Sequence, residues 1–485
     1  MSDDAFVRRA PAAGVVALLL ALATMTTADS DLWGHLRFGL DTIETRSLPS
    51  IDPYSFTQDL PWINHEWLSE LVMGVAWMIG GPAGLSVLKG ALVAAALLLV
   101  WRGLGRVSLG PRFVIFAAVA ASTAPVARTL RPQLWTLLCL AVLCRVLVER
   151  RARARYWLPP MFALWANMHG GWVVGLGVLA AWTAAETVVS RRLDAGAIVV
   201  AVASLLATLL TPYGWRLWAF LAGTVRMGRD ITEWQPLWNV PPLDVLPWLM
   251  AVAAAAWFVW RSPRDLWPRI TVVVMLAYAS ARVVRIVPLF VACAAILLAD
   301  AMAVRWPRPA GRPLMDRSPH DRLAAAVIAI VTLAGAVWVA TMSLQCIGVE
   351  TPRAADSEAM RVLRGAPPGR VVTFFDWGEY AIWHIGPGVR VSMDGRRETV
   401  YSDARLEEHA AILDGRPGGL ATLAAWQPEY VWLPATSART REWLVAQGYR
   451  IEHASDRSFV AVRPDLPPIA PAPPAPSSTT ACFPG

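Results

Sequence analysis

Long apolar segments recur along almost the whole chain and are separated by short polar loops. The first covers residues 12–27, after Arg8 and Arg9. Their lengths approach the roughly 20 residues that an α-helix needs to cross a bilayer. The pattern predicts an all-α, polytopic membrane domain over residues 1–345 with about eleven transmembrane helices. The other ten are expected near residues 83–101, 112–126, 133–147, 157–168, 172–190, 195–210, 245–260, 270–281, 286–301 and 323–342.

The distribution of arginine predicts the orientation of these helices. Arginines concentrate in alternate loops, as at residues 145–155, 261–269 and 305–322, and are sparser in the loops between them. Loops rich in positive charge stay in the cytoplasm. We therefore expect a cytoplasmic N-terminus and, because the number of spans is odd, an extracytoplasmic C-terminal part.

Two long segments fall on the predicted outer side. Residues 28–82 form a long first outer loop of the membrane domain, and its run 65–79 is amphipathic enough for a helix that lies on the outer surface. Residues 346–464 predict a small extracytoplasmic α/β domain. Its strands are expected at 371–375, 389–393, 430–433 and 459–462, and its helices at 404–413 and 440–447. The Pro-rich stretch 465–485 predicts a disordered tail.

Composition narrows the class of protein further. Hydrophobic residues make up 56% of the chain, charged residues only 16%, and the mean hydropathy is +0.44. These values exclude a soluble enzyme, a disordered protein and a disulfide scaffold. The net charge of +8 comes from arginines in short loops, so it does not indicate nucleic-acid binding. Of the five cysteines, Cys346 and Cys482 could pair outside the membrane.

The strongest chemical signal is a pair of carboxylates, Asp29 and Asp31, at the outer end of the first span. Two carboxylates at this spacing can bind a divalent cation or act as a general base, while a polar helix end is the plain structural alternative. His35 and Arg37 follow closely, and a helix end does not need them.

Further along the same loop, Asn64, His65 and Glu66 come just before the amphipathic run. Together they look like the wall of a site. The structural alternative is that a helix N-terminus favours a glutamate, and Trp62 and Trp67 are typical of a membrane interface.

The motif Asp29-Ser30-Asp31, the long first outer loop and the second span resemble the C-type (GT-C) membrane glycosyltransferases. The chain is also similar to a group of bacterial membrane proteins without an established reaction, which share DxDxWxHL, PWxNHEW, WANxHGG and DWGxYxIWH…DGR. The resemblance implies transfer of a sugar from a polyprenyl-phosphate donor to an acceptor at the extracytoplasmic face of a bacterial inner membrane. It assigns catalysis to Asp29 and Asp31, one of which would activate the acceptor or hold a divalent cation.

Such a donor needs cations for its phosphate. Arginine suits this task because its planar fork bonds two oxygens at once, although arginines at span ends also pair with lipid headgroups. Asn167 and His169 form an outer turn whose glycines have a purely structural explanation. The sequence predicts substrate binding, besides His35, Arg37, Asn64, His65 and Glu66, by Arg128, Arg131, Gln133, Asn167, His169, Arg282 and Arg285.

The outer domain carries two further polar loops, residues 376–380 and 394–397, each after a predicted strand. Loops after strands often carry function, but Asp-Gly is also an ordinary turn. These loops are expected to recognise the acceptor or to pack against the membrane domain. The rival to a glycosyltransferase is a non-enzymatic transporter or a component of cell-envelope assembly.

Overall fold

A computed structural model describes residues 16–17, 19, 25–149, 153–224, 232–260, 266–308, 319–349, 355–470, 472 and 482–485. The chain divides into two compact units. The helical unit consists of Met1–Thr26 and Ala83–Gln345, and the α/β unit consists of Thr27–Pro82 and Cys346–Gly485. The sequence assigned residues 28–82 to the membrane domain, whereas the contacts of the chain group them with its C-terminal part.

The helices follow one another with short connections through most of the chain. In chain order they are α1 (Asp31–Thr45), α2 (Trp67–Gly103), α3 (Leu109–Ala127), α4 (Gln133–Glu149), α5 (Leu158–Met168), α6 (Trp172–Ser190), α7 (Ala195–Ala207), α8 (Trp215–Thr224), α9 (Pro242–Val259), α10 (Trp267–Arg282), α11 (Val287–Leu297), α12 (Ala299–Arg305), α13 (Pro319–Gln345), α14 (Ser357–Arg364), α15 (Gly378–Ile385), α16 (Asp403–Leu413), α17 (Pro417–Trp426) and α18 (Ala438–Ala446).

Helix α2 is broken where the two units divide. Gly81 has φ 55° and ψ −137°, which is not helical, and Pro82 follows it. Only glycine adopts such a backbone without strain, and proline lacks the N–H that would continue the helix ladder. The break separates an apolar first part, close to the predicted helix 65–79, from a second part close to the predicted span 83–101.

Within the helical unit, α10 packs against α6 and α11, and α11 packs against α3 and α4. The one lysine of the chain, Lys89, is fully buried on α2. Its Nζ donates to the carbonyl oxygens of Met25 and Ala127 at 2.5 Å each. This ammonium group therefore ties the residues before Thr26 to the end of α3.

Several helices are suited to a membrane. Among the described residues, three helical segments are long and apolar enough to cross one, and a pair bent by 56° makes a fourth. The segments are Trp67–Arg106, Leu109–Ala127, Trp172–Ser190 and the bent pair Val284–Leu297 with Ala299–Arg305. The count of eleven spans stays a prediction. The first predicted span, residues 12–27, lies largely outside the described residues.

The α/β unit is built on a five-stranded mixed sheet. Its strands are β3 (Gly369–Thr373), β4 (Val389–Val391), β5 (Tyr430–Pro434), β6 (Arg450–Ala454) and β7 (Ser458–Val462). Their order in the sheet is β4-β3-β5-β7-β6; β4, β3 and β5 run parallel, and β7 pairs antiparallel with both β5 and β6. The core contains Val372, Val431 and Phe459 against Ile412, Leu423 and Leu444. Four strands match the predicted positions, while β6 adds an edge strand.

Residues of the first loop extend this sheet. The Phe56 N–H donates to the carbonyl of Val391, and the Val391 N–H donates to the carbonyl of Tyr54. A separate two-stranded ribbon pairs β1 (Thr27–Ala28) in parallel with β2 (Gly348–Val349). The loop and the C-terminal part are therefore joined by main-chain hydrogen bonds at two places.

Of the Pro-rich stretch 465–485, the structure describes residues 465–470, 472 and 482–485. Cys482 forms the expected disulfide with Cys346, and the Phe483 N–H donates to the carbonyl of Ile347. The predicted disordered residues 471 and 473–481 lie outside the described residues. A disulfide and a main-chain hydrogen bond thus attach residues 482–483 to residues 346–347.

Candidate functional site

Helix α1 places Asp31 at its first position, where the helix dipole favours a negative charge. Asp29 comes just before it and is half-buried. The apolar face of α1 is buried through Leu32, Leu36 and Phe38, and the helix packs against α15. Apolar packing therefore fixes the helix that carries the predicted carboxylates.

Glu379, on the first turn of α15, reaches the same place. It is 3% exposed, and its Oε2 accepts a hydrogen bond from the Gly34 N–H at 3.1 Å. A Cβ at Gly34 would lie 2.2 Å from that oxygen, and one at Gly395 would lie 2.8 Å from both Asp31 Oδ1 and Glu379 Oε1. Two glycines thus make room for two carboxyl groups that face one spot.

The environment of Glu379 favours its neutral form. Burial raises the pKa of Glu379 well above its ordinary value, and the nearby charges of Asp31, Asp394 and Asp29 raise it further. Arg396 opposes this shift without reversing it. Like charges that share a site disfavour one another's ionised form. The neighbouring carboxylates and burial therefore both favour a neutral carboxyl group at Glu379.

Arg396 is enclosed beside this cluster. Its guanidinium donates to both oxygens of Asp52 at 2.7 Å and to both oxygens of Asp394 at 2.8 and 2.6 Å. It also lies 4.9 Å from the ring centre of Phe38 and 4.8 Å from that of Trp62. Burial lowers the pKa of Arg396, but Asp394 and Asp52 outweigh it and raise the value overall. This arginine stays charged and is paired with two carboxylates within the protein.

A second polar group joins α1 to the start of α2. The carboxylate of Glu70 lies 3.0 Å from His35 Nδ1 and accepts from Asn64 Nδ2 at 2.5 Å. Burial lowers the pKa of His35, but the hydrogen bond to Glu70 and the charges of Glu66, Glu70 and Asp31 raise it to about 9. His35 is therefore positively charged at neutral pH.

The neighbouring predicted residues make local contacts. Arg37 Nε donates to Asp41 at 3.0 Å, and the Tyr54 hydroxyl donates to the same carboxylate oxygen at 2.7 Å. His65 Nε2 lies 3.6 Å from Glu66 Oε1. The structure therefore brings His35 and Asn64 together through Glu70, and it engages Arg37 within the α/β unit.

The end of the chain packs on α1 next to the carboxylates. The Trp33 indole N–H donates to the carbonyl of Pro484 at 2.8 Å, and the Phe483 ring lies 5.1 Å from the Trp33 ring and 5.6 Å from that of Trp77. His384 Nε2 lies 3.1 Å from the same carbonyl. Burial lowers the pKa of His384 to about 3, so the neutral ring donates from Nε2.

The helical unit gathers three of its predicted residues in one cluster. Arg285 Nε donates to Gln133 Oε1 at 2.6 Å, and Glu233 Oε2 lies 3.9 Å from both Arg285 and Arg131. These arginine side chains are 25% and 20% exposed, and Glu233 is 49% exposed. The cluster thus combines the Gln133 amide with Arg131 and Arg285. Glu233 lies at the longest distance that still counts as an ion pair.

The remaining predicted residues of this unit have other surroundings. Arg282 lies over the Trp238 ring at 5.3 Å, and Arg128 is exposed after α3. Asn167 donates to the carbonyls of Ala163 and Leu210 at 2.8 and 2.9 Å. These contacts of Asn167 stabilise the end of α5.

His169 contacts the backbone of the same turn. The Gly171 N–H donates to its Nδ1 at 3.0 Å, and Thr136 Oγ1 lies 2.8 Å from that nitrogen. The Trp165 indole N–H donates to the same hydroxyl at 2.9 Å. The described contacts of His169 and Asn167 thus fit the structural explanation of this turn.

Comparison with solved structures decides the fold. No family model matches the sequence, and no curated protein matches it significantly. ArnT from Cupriavidus metallidurans bound to undecaprenyl phosphate aligns with a TM-score of 0.55 at 12% identity, over 95% of this chain and 98% of that chain. The apo state of the same ArnT gives a TM-score of 0.54 at 11% identity. The chain has a GT-C-like fold.

The arabinofuranosyltransferase AftD from mycobacteria agrees, with a TM-score of 0.53 at 15% identity over 96% of this chain. This chain spans 40% of the length of AftD. Likeness at such identities is a likeness of fold. Within this GT-C-like chain, the roles of the site residues therefore rest on its own geometry.

Sequence reasoning missed the two buried glutamates. Glu70 lies inside the apolar run 65–79, where a single acidic residue in the first helical turn is ordinary. Glu379 was part of the conspicuous stretch 376–380, but its spacing gives no sign that it meets Gly34, 345 residues earlier. Among the described residues, no group of three or more His, Cys, Asp or Glu side chains is arranged to hold a metal ion. The divalent cation stays a prediction.

Proposed function

We propose that this chain is a membrane glycosyltransferase that moves a sugar from a polyprenyl-phosphate donor to an acceptor at the extracytoplasmic face. The observation that carries the proposal is the carboxylate of Asp31 at the N-terminus of α1, facing the same glycine as Glu379, in a chain of GT-C-like fold. ArnT, a structure of the same fold, is bound to undecaprenyl phosphate, which supports a donor of this class.

In the proposed step, Asp31 accepts the proton of an acceptor hydroxyl. The hydroxyl oxygen then forms a bond to the anomeric carbon of the donor sugar. The bond between that carbon and the carrier phosphate oxygen breaks, and its electron pair leaves with the phosphate. A positioned general base typically contributes about 10²–10⁴-fold to the rate. Asp29 is the alternative base, since it precedes Asp31 by two residues.

We assign the donor phosphate to the cluster of Arg131, Gln133 and Arg285. Its two arginines are partly exposed, and their contact with Glu233 at 3.9 Å is loose. A phosphate can replace such a partner, because a guanidinium bonds two phosphate oxygens at short distance. Arg282 and Arg128 are proposed as auxiliary cations.

The disulfide supports an extracytoplasmic location for the α/β unit. Disulfides persist in oxidising compartments, such as the bacterial periplasm, and are rare in the cytosol. We propose the bacterial inner membrane, with the N-terminus in the cytoplasm. A reporter fused after Met342 should be active only outside the cytoplasm, and one fused within residues 150–155 only inside it. The reverse result would refute the proposed orientation.

The direct test uses purified full-length protein with polyprenyl-phosphate sugars, and it measures donor binding and turnover separately. Asp31→Asn keeps the size of the side chain and removes its charge. It should abolish turnover while donor binding and expression stay nearly unchanged, with Asp29→Asn as the matched comparison. Full activity of both variants on a confirmed substrate would refute the assignment. A wild type that binds no lipid phosphate would favour a transporter or an assembly component.

A further inference from the structure

Glu379 is a buried acidic residue that the step above does not use. Its helix α15 belongs to the C-terminal part of the chain, whereas Asp31 begins α1. Oε2 of Glu379 accepts from the Gly34 N–H, so this oxygen is occupied. The other oxygen, Oε1, faces Gly395 together with Asp31 Oδ1. The carboxyl group of Glu379 is therefore oriented, with one oxygen directed at the site of the proposed base.

We propose that Glu379 is a positioning residue for Asp31, to which it donates a hydrogen bond as a neutral acid. The part of this inference that concerns turnover rests on the proposed function. It makes the C-terminal part of the chain a contributor to the site, because α15 supplies the group that orients the base.

The surroundings of Glu379 favour this protonation state. Asp31 and Asp29 approach from the start of α1, and Asp394 and Arg396 approach from the loop after β4. Burial is the largest influence on the pKa of Glu379 and raises it, and the three aspartates add to the effect. Arg396 already bonds Asp52 and Asp394, which leaves the pKa of Glu379 raised.

A neutral donor next to Asp31 has two consequences. A hydrogen bond to a carboxylate stabilises its charged form, which is the form that can accept a proton. The bond also fixes the direction of Asp31, and misplacing a reacting group by about 1 Å can cost about 10²-fold in rate. Glu379 should therefore affect kcat more than donor binding.

Substitutions of Glu379 distinguish a neutral hydrogen-bond donor at this position from a charged carboxylate. Glu379→Gln supplies an oxygen for the Gly34 N–H and an NH₂ group towards Asp31, so it should keep kcat within about threefold. Glu379→Ala should lower kcat by about 10–100-fold and leave the KM for the donor within about twofold. Glu429→Gln, a glutamate that binds Arg370 in the same unit, is the control and should match wild type.

Two outcomes would overturn the inference. Glu379→Gln could lose kcat as strongly as Asp31→Asn, which would make Glu379 a charged catalytic group. Glu379→Ala could keep the kcat of wild type, which would make Glu379 unnecessary for the position of Asp31. If Glu379→Ala does not fold, Gly395→Ala replaces it, since its Cβ would displace both carboxyl groups while every charge remains. It should lower kcat by about 10–100-fold, and wild-type kcat in this variant would contradict the inference.

Infrared spectroscopy of the full-length protein tests the same point without a substrate. A protonated carboxyl group absorbs separately from a carboxylate. At pH 7 the wild type should show an acid band that disappears in Glu379→Gln and shifts in Asp31→Asn. A missing band, or one that Asp31→Asn leaves unmoved, would refute the inference. If the wild type shows no turnover, the proposed function fails. The infrared comparison of wild type and variants then still decides whether Glu379 is protonated.

Discussion

Two charged clusters, one in each unit, differ in how deeply their arginines and carboxylate partners are buried. Arg396 is 6% exposed, and its carboxylate partners Asp52 and Asp394 are not exposed at all. The Arg285 side chain is 25% exposed and that of its partner Glu233 is 49% exposed. Arg285 Nε lies 3.9 Å from Glu233 Oε2. In the first cluster the guanidinium makes four hydrogen bonds to two buried carboxylates. In the second, the arginines are partly exposed and Glu233 lies 3.9 Å from both of them.

The contrast shows why an arginine motif in a sequence does not identify a ligand site. Removing one partner of a buried, fully bonded ion pair leaves uncompensated charge in the protein interior. An exposed pair at the distance limit contributes little to stability, so its cation can change partners at low cost. We expect Arg396 to matter for folding and Arg285 for binding.

The largest effect is expected for Arg396→Met. This substitution leaves Asp52 and Asp394 buried without their cation, which should cost about 3–5 kcal/mol of unfolding free energy. Chemical unfolding of the detergent-solubilised protein measures it. Arg370→Met is the control, because the Arg370 side chain is 33% exposed and its loss should cost less than about 1 kcal/mol. Equal losses in the two variants would erase the contrast between buried and exposed arginines.

A smaller, pH-dependent effect is expected for His35, a cation that can be titrated. The pKa of His35 is raised to about 9 in the folded protein from an ordinary value of 6.5. Its stabilising contribution is therefore complete below pH 6.5 and lost as pH rises through 9. Relative to wild type, His35→Asn should lose on the order of 3 kcal/mol at pH 6, and this pH-dependent loss should vanish above pH 9.

The control for this titration is His384→Asn. The pKa of His384 is lowered to about 3, so the stability that its neutral form contributes is lost only as pH falls from 6.5 towards 3. Unfolding free energies measured from pH 6 to 10 should stay parallel for this variant and wild type. A constant difference between wild type and His35→Asn over the same range would contradict the assigned charge of His35.

The smallest effect on stability, and the one specific to binding, is expected for Arg285→Ala. A hydrogen bond to a charged group is worth about 1.5–3 kcal/mol, so affinity for a polyprenyl phosphate should fall by about 10–100-fold. The unfolding free energy should stay within about 0.5 kcal/mol of wild type. Equilibrium binding of a labelled lipid phosphate measures it, with the exposed Arg216→Ala as control. Equal affinity of Arg285→Ala and wild type would remove this cluster from the donor site.

The sequence predicted the strands whose apolar residues stand close together. Strands β3, β5 and β7 were found because buried strands contain apolar runs, and β4 because two buried valines flank its exposed Arg390. The run Arg450–Ala454 mixes polar with apolar residues at the edge of the sheet, so β6 was missed. The prediction for the tail followed from its prolines, and composition gives no sign of the packing of Phe483 on Trp33.

The candidate site was predicted only in part, for a different reason. Asp29, Asp31 and His35 stand in one short motif, and local spacing is enough to select them. Glu70 and Glu379 belong to the candidate site because they contact His35 and Gly34. A linear pattern carries no information about contacts between residues so far apart in the sequence. The role of Arg396 was equally hidden, because its partner Asp52 lies 344 residues away.

The parallel pairing of Thr27–Ala28 with Gly348–Val349 has a consequence for the order of events during synthesis. Chains grow at about 5–20 residues per second, so β1 emerges from the ribosome on the order of tens of seconds before β2 exists. Throughout that interval β1 lacks its partner β2, α1 lacks α15, and the disulfide cannot form. The hydrogen bond from the Gly34 N–H to Glu379 therefore forms only after most of the chain has been synthesised.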